Sequence, residues 1–526
     1  MSVMLNRRWL GRRRYVLSGL GLAAGLGCSA DPETPASLNN GTPFTAVAPV
    51  PSTPAIQDAL PPEPISGPNV AAVVGQAAMV QAEVGPPGDG PVTASASQPQ
   101  ATPPLPATPA AMMAESNEAT VTGMPASPTV GAGVVESPPA DPEAVPAPAP
   151  VGIVTISAGA LERRNSIVSF ELPPTLAQSL TSGATAVNSE GNSIPVQVEE
   201  NGTATLIVPQ LAASQTLALE LFPVATTPSI HAVAQEDGVH FQLEDKTLFR
   251  FITTAQLPAG LDDHYRRGGY IHPLLTPSGA RLTGDYPSDH PHHHGIWSAW
   301  REVEFDGRET DFWNTDDEKG LADFRELEAS WSGPVHAGLR AQLMQTDLTS
   351  RNPVDALRET WALKAYRTHE ADAPYFVFDI TSAQTPAQDI AIELSKYLYG
   401  GFGIRGREDW SPGNSDFLTS EGLTRANGED TGAHWVYYGG RVKEERAGMA
   451  LLGHPDNFRA PQKVRLHPEM PYFSYAPVKA GGFTIEPGQT YMTRFRVVTF
   501  DGEPDAEVIQ TLWQDYAQPA TATFTP

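Results

Sequence analysis

From Val151 onward, apolar and polar residues alternate in short runs. Val154, Ile156 and Ala158 stand against Ile153, Thr155 and Ser157, and comparable runs follow at Ile167–Leu172, Ile194–Val198, Thr205–Val208 and Thr216–Phe222. A period of two places successive side chains on opposite faces of a strand. Turn-forming stretches at Ser189–Asn192 and Glu200–Gly202 separate the runs, and no convincing helical period interrupts them. Residues 151–225 are therefore predicted to form a small antiparallel β-sandwich.

The same punctuation continues through residues 226–520. Runs at Val239–Leu243, Leu248–Thr253, Gly295–Phe305, Ala337–Gln345, Arg358–Ala365, Tyr375–Thr381, Gly448–Gly453 and Tyr491–Phe500 predict a large all-β domain, most simply a second sandwich. The period changes only near the end, where Val508, Ile509, Leu512, Trp513 and Tyr516 recur at helical spacing behind Asp505. That pattern predicts a helix over Ala506–Tyr516, capped by Asp505 and covering a sheet edge or end.

Nothing of the kind precedes residue 151. Arginines at 7, 8, 12, 13 and 14 lead into an apolar run from Tyr15 to Leu26, so residues 1–27 are expected to be a signal peptide of the twin-arginine or Sec type. The chain's one cysteine, Cys28, follows directly, where a bacterial lipoprotein carries its acylated thiol; Gly25 replaces the usual aliphatic residue of that motif. By the same analogy, Ser29 favours the outer membrane, with a periplasmic or secreted protein as the alternative. Residues 28–150 are rich in Pro, Ala, Gly, Val, Ser and Thr and hold no lysine or arginine. Such a segment buries too little to offset chain entropy, and roughly 120 residues of flexible tether average about 60 Å end to end.

The formal charge is -26, and loss of the five leader arginines makes the remainder more acidic still. A surface of that sign excludes nucleic acid as a partner and leaves the lipid as the expected link to a membrane. It favours neutral or cationic ligands.

The densest chemistry lies at Asp289-His290-Pro291-His292-His293-His294, four of the thirteen histidines in five positions. Imidazole titrates nearest neutrality and is the commonest metal ligand. If the segment is extended, His290, His292 and His294 share one face and His293 takes the other. Those three would suit a divalent Zn, Fe, Mn or Cu ion with an open position, completed by Asp285, Asp289, His272, His434 or His454. A second reading makes His292 or His293 the acid or base of sugar chemistry, with His290 beside them and Asp289 tuning a ring. A third leaves the rings tying loops together.

Tyr270, Trp297, Trp300, Phe312, Trp313 and Asn314 surround this segment. Aromatic faces and an amide suit a saccharide cleft, and the same composition also makes a sandwich core. Arg405, Asn457 and Arg459 lie beside glycine or proline, where loops present polar groups to ligands; a loop hydrogen bond is their plainer role. Arg266-Arg267-Gly268-Gly269 reads as a turn with local positive charge that could bind a carboxylate, a uronic acid included; an ordinary surface pair is its plainer role.

Taken together, Tyr270-Ile271-His272-Pro273-Leu274, Thr276-Pro277-Ser278-Gly279, Asp285-Tyr286-Pro287, Asp289-His290-Pro291-His292-His293, Asp311-Phe312-Trp313-Asn314, Gly400–Arg405 and His454–Pro461 resemble a family of exported bacterial proteins without assigned function, labelled PmoA-like or methane oxygenase. The resemblance covers roughly 152–517. The label implies a membrane subunit with several apolar spans of about 20 residues, and the sequence has none after its leader. What the resemblance implies instead is a β-sandwich of the aldose-epimerase kind, an enzyme or a glycan-binding protein in carbohydrate catabolism. Its site would draw on Asp289, His290, His292 and His293, with His272, Trp297, Trp313, Asn314, Arg405, His454, Asn457 and Arg459 contacting the ligand. Two positions depart from the family pattern: His294 stands where arginine is usual, and Ala460 where a second histidine follows Asn-x-Arg.

Overall fold

A computed structural model describes residues 148–254, 256–368 and 375–526. The leader, Cys28 and nearly all of the tether lie outside the described residues. The described chain is all-β, built of antiparallel sheets with one long helix near its end.

The first module is a single sheet of seven strands, in the order Arg163–Glu171, Thr203–Leu211, Ser193–Val198, Ala184–Val187, Thr216–Phe222, Gly152–Ser157 and Thr521–Thr525. Its interior is the face the alternation marked, with Val154, Ile156, Val168, Phe170, Leu206 and Leu221 buried together. Two elements escaped the sequence. Pro174–Ser179 forms one short helix, too brief to show a helical period. The strand Thr521–Thr525 returns from the far end of the chain to pair with Gly152–Ser157.

The large domain packs two eight-stranded sheets face to face. One runs Val464–Leu466, Tyr472–Tyr475, Gly401–Arg405, Ile296–Ala299, Tyr270–Leu274, Lys246–Ile252, Gly238–Leu243, Ile230–Ala234. The other runs Gly320–Trp331, His336–Asp347, Val354–Tyr366, Tyr375–Pro386, Tyr491–Asp501, Glu445–Gly453, Trp435–Val442, Ser415–Thr419. Phe241, Phe249, Phe251, Ile296, Trp361, Phe378, Phe402, Ile404, Phe473 and Phe495 fill the space between them. The predicted run Gly295–Phe305 is two strands. Ile296–Ala299 belongs to the first large sheet, and Val303–Phe305 to a four-stranded sheet that also holds Arg308–Thr310, Ile392–Leu394 and Phe483–Ile485. Both faces of the first strand are buried, whereas the second alternates, with Glu304 exposed between Val303 and Phe305 and the half-buried Arg301 and Glu302 at the corner.

Alternation in the first sheet decides what reaches its outer face. Ile296, Phe402, Ile404 and Phe473 point into the sandwich, which leaves Trp297, Gly403, Arg405 and Tyr472 on the other side. A second aromatic core forms there, with Tyr270, Trp300, Phe305, Phe312 and Trp313 under the four-stranded sheet.

The helix Ala506–Ala517 starts where expected, Asp505 accepting from the backbone of Glu507 and Val508. Ile509 is buried and Leu512, Trp513 and Tyr516 pack with Trp435, Tyr437, Leu452 and Val498 on the outer face of the second sheet. Val508, assigned to the same face, is exposed. The helix also joins the modules: Asp515 Oδ1 accepts from Arg163 Nη1 at 2.8 Å and Ser166 Oγ at 2.7 Å. A second junction forms at Gln197, whose Oε1 accepts from the backbone of Val335 (3.2 Å) and His336 (3.0 Å).

Candidate functional site

The histidine segment is folded, not extended. His290 N donates to Pro287 O at 3.1 Å and His293 N to His290 O at 2.9 Å, making two consecutive turns. Pro291 occupies the second position of the latter, where its fixed φ suits a type I or II turn. The loop then closes on itself through Tyr286 N and His293 O, and locks to the neighbouring strand through Arg405 N and Gly295 O. Gly295 also lets the chain press against the strand on its other side: a Cβ there would lie 2.0 Å from Ile271 O.

These turns overturn the face assignment made for a strand. His290, His292 and His293 come together, with ring centroids 5.6, 4.9 and 4.8 Å apart. His294 is the ring that leaves. Its Nδ1 donates to Asp285 Oδ1 at 2.7 Å, Tyr270 OH donates to the other oxygen at 2.9 Å, and Tyr286 packs edge-on against it. The proposed metal face of His290, His292 and His294 is therefore not assembled, and among the described residues no group of three or more His, Cys, Asp or Glu is arranged to hold a metal.

His293 is the buried centre of the triplet. It stacks between His290 and Tyr472, the latter at 5.0 Å, with Trp297 at 5.2 Å. Arg405 Nη1 lies 3.3 Å from its Nδ1. A guanidinium only donates, so Nδ1 accepts and the ring proton sits on Nε2. Burial, reinforced by His292 and Arg405, holds this imidazole well below its ordinary titration range.

Two carboxylates flank the triplet. Asp289, 44% exposed, accepts both of its bonds from Arg405 Nη2 at 2.7 and 2.9 Å, and its Oδ2 is 3.4 Å from His290 Nδ1. Burial works to raise this carboxyl, but Arg405 overrides it and leaves the group below its usual value. On the opposite side Asp316, 47% exposed, has Oδ2 2.8 Å from His292 Nδ1, out of line for a full hydrogen bond. Asp316 also accepts from Tyr265 OH, a bond that pushes the phenol up to about 12. Burial drives His292 down to about 4, against partial opposition from Asp316. His292 is thus neutral across the physiological range, with a carboxylate at its back.

Asp316 reaches the triplet because Asp311 accepts from the backbone of Trp313 (2.8 Å) and Asn314 (3.0 Å), turning the chain into the 3-10 segment Thr315–Asp317. Asn314 Nδ2 donates to Tyr399 OH at 3.3 Å, and Tyr399 packs on Trp313. Tyr265, Tyr397, Tyr399, Asn314, His467 and Met470 are half-buried around the mouth.

Of the expected ligand contacts, the structure brings Arg405 and Asn314 to this place. Trp297 and Trp313 are 0% and 1% exposed, members of the aromatic core without a face for a sugar. His272 turns to Thr283, its Nδ1 3.0 Å from Oγ1, on the His294 side of the loop. Asn457 spends its amide on the backbone of Arg494, and Arg459 donates to the carbonyls of Pro477, Gly481 and Gly482. His454 packs against Tyr516 and lines a small cavity with Asn457 and Tyr475. Tyr475 lies three residues from Tyr472, about 10 Å along the strand. These three are loop-holding groups. Arg267, read as half of a surface pair, is buried and donates to Ser298 O at 2.8 Å.

Asp316, Tyr265, Tyr472, His467 and Tyr399 were not foreseen. Asp316 sits in an acid-rich turn that resembles any solvated loop, and the others are far from the histidines in sequence; only the fold joins them.

Residues 238–514 match a profile described as a family of unknown function, DUF6807. The chain belongs to that family. No curated protein matches it. The DUF6807 match takes in the whole histidine triplet with Tyr265, Asp316, Arg405 and Tyr472, and omits the seven-stranded module.

Proposed function

We propose that this DUF6807 protein is an enzyme that acts on a carbohydrate or sugar derivative by histidine–aspartate acid–base chemistry. The observation that carries this reading is the pairing of two imidazoles with two carboxylates across one mouth: His292 with Asp316, and His290 with Asp289. His292, neutral and backed by Asp316, is the base that takes a proton from a sugar hydroxyl. His290, beside Asp289, returns a proton to the ring oxygen or the departing oxygen, and His293 with Arg405 keeps both rings in place. The half-buried tyrosines at 265, 397 and 399, with the Asn314 amide, supply the amphipathic surfaces and the polar contact that a saccharide uses.

The leader, Cys28 and the tether support an exported, lipid-anchored protein of the cell envelope. The PmoA-like label is compatible with that setting, and no helix among the described residues is long and apolar enough to cross a membrane.

The test is turnover of a panel of glycosides and free sugars by wild type and His292→Asn, read as reducing-sugar release, anomer exchange or loss of a keto sugar. Conversion abolished in the variant supports the reading. Tight binding with no conversion by wild type replaces the enzyme with a glycan-binding protein, and conversion lost on chelation and restored by a divalent ion replaces it with a metal-dependent one.

A further inference from the structure

The charges around the triplet go further than its chemistry and say which sugars it accepts; this step rests on the reading just given. Arg405 is the cation that reaches the rings, 3% exposed, and it is committed: Nη2 to both oxygens of Asp289, Nη1 to His293 and Met470. Arg301 pairs with Glu302 and Asp311, Arg465 with Glu429, and Arg425 donates to the carbonyls of His467 and Met470. Facing outward beside the buried rings are His290, 37% exposed, and two carboxylates, Asp289, which is paired with Arg405, and Asp316, which has no arginine or lysine against it among the described residues. Asp262, Asp317 and Glu318 extend the same sign along the neighbouring turns, where Asp263 pairs with Arg266 at 2.8 Å. His292 stands behind Asp316, 7% exposed, its Nδ1 directed at that carboxylate without lining up on it. A donor on a ligand could bond the exposed side of that carboxylate; a second anion could not.

We propose that this mouth takes a neutral or amine-bearing saccharide and rejects sugars that carry a carboxylate or phosphate, Asp289 and Asp316 receiving the hydroxyl or ammonium donors of the ligand. A carboxylate brought within contact of either aspartate would meet like charge in a partly desolvated site, and the guanidinium that could neutralise it is already bound.

The experiment uses matched methyl glycosides in the gluco, galacto and manno series, each as the neutral sugar, the 2-amino sugar and the uronate. Binding to the full-length protein is measured by titration calorimetry and ligand-observed NMR. In whichever series binds, the neutral or amino form is expected to bind at least about tenfold more tightly than the uronate. Asp289→Asn releases Arg405, and the ratio of uronate to neutral affinity should then rise by about tenfold. Asp316→Asn, nearly isosteric and on a different turn, should weaken the bias against the uronate and carries the test if the first variant does not fold. A uronate that binds wild type as well as its neutral counterpart overturns this proposal and leaves the acid–base reading standing. Absence of binding and turnover across all nine ligands overturns both.

Discussion

A single nitrogen of Arg405, Nη2, holds both carboxylate oxygens of Asp289, while its neighbour Nη1 reaches His293. The arginine ends a strand of the large sandwich, so the rigid sheet fixes the histidine loop from beneath. Asp289 needs no partner from its own loop for that.

Arg405→Lys keeps the charge but offers one compact donor in place of a planar fork. It should lose its grip on Asp289 or on His293, and kcat/KM should fall by up to about a hundredfold, as misplacement of catalytic groups does. Nitrogen NMR of the imidazoles should show the His293 tautomer no longer fixed. An unchanged rate with an unchanged spectrum would refute the positioning role.

His292 should titrate at about 4, far below the ordinary imidazole range, because burial disfavours its cation. The acid limb of kcat/KM is then expected near pH 4. Asp316 favours the cation, so Asp316→Asn should move that limb lower still. A limb near pH 6.5 would point to another ring as the base.

Gly403→Ala tests the aromatic floor. A Cβ there would come within 2.6 Å of Trp313 and 3.2 Å of Trp297. Overpacking of this kind costs about 1–3 kcal/mol. Denaturant unfolding should shift accordingly, with a change in tryptophan fluorescence before unfolding.

The junction of the two modules should weaken in acid. His336 Nδ1 accepts from Trp331 Nε1 at 3.0 Å, and its Nε2 lies 3.2 Å from Glu199, which also holds Lys364 at 2.5 Å. Burial depresses His336 below its usual value of 6.5, so its contribution is present above that pH and lost as pH falls below it. Burial works to raise Glu199, but His336 and Lys364 hold it at about 2, so its contribution is present above 4.5 and lost between there and about 2. Thermal unfolding against pH should decline through both windows in wild type, and Glu199→Gln should remove the lower one.

The small module's alternation and the cap at Asp505 were legible in the sequence, because each depends on neighbours within a few residues. The direction of the rings was not. His293 joins the cluster and His294 leaves it because two turns, closed at Pro287 and His290, take the place of a strand. Trp297 and Trp313 show a second limit. Their composition fits a sugar cleft as well as a core, and only the alternation of strands in the sheet decides for the core. Asn457 and Arg459 occupy a loop rich in polar residues, yet they satisfy backbone groups that would otherwise be stranded.

The strand Thr521–Thr525 has a consequence for synthesis. Val154 pairs with Phe524, so one edge of the seven-stranded sheet stays open until the ribosome has made the entire sandwich that lies between them. Contacts of such high order close late and expose an unpaired edge meanwhile. The module should therefore mature last although its other six strands are translated first. Ending the chain before Thr521 should leave the sandwich folded and the module aggregation-prone.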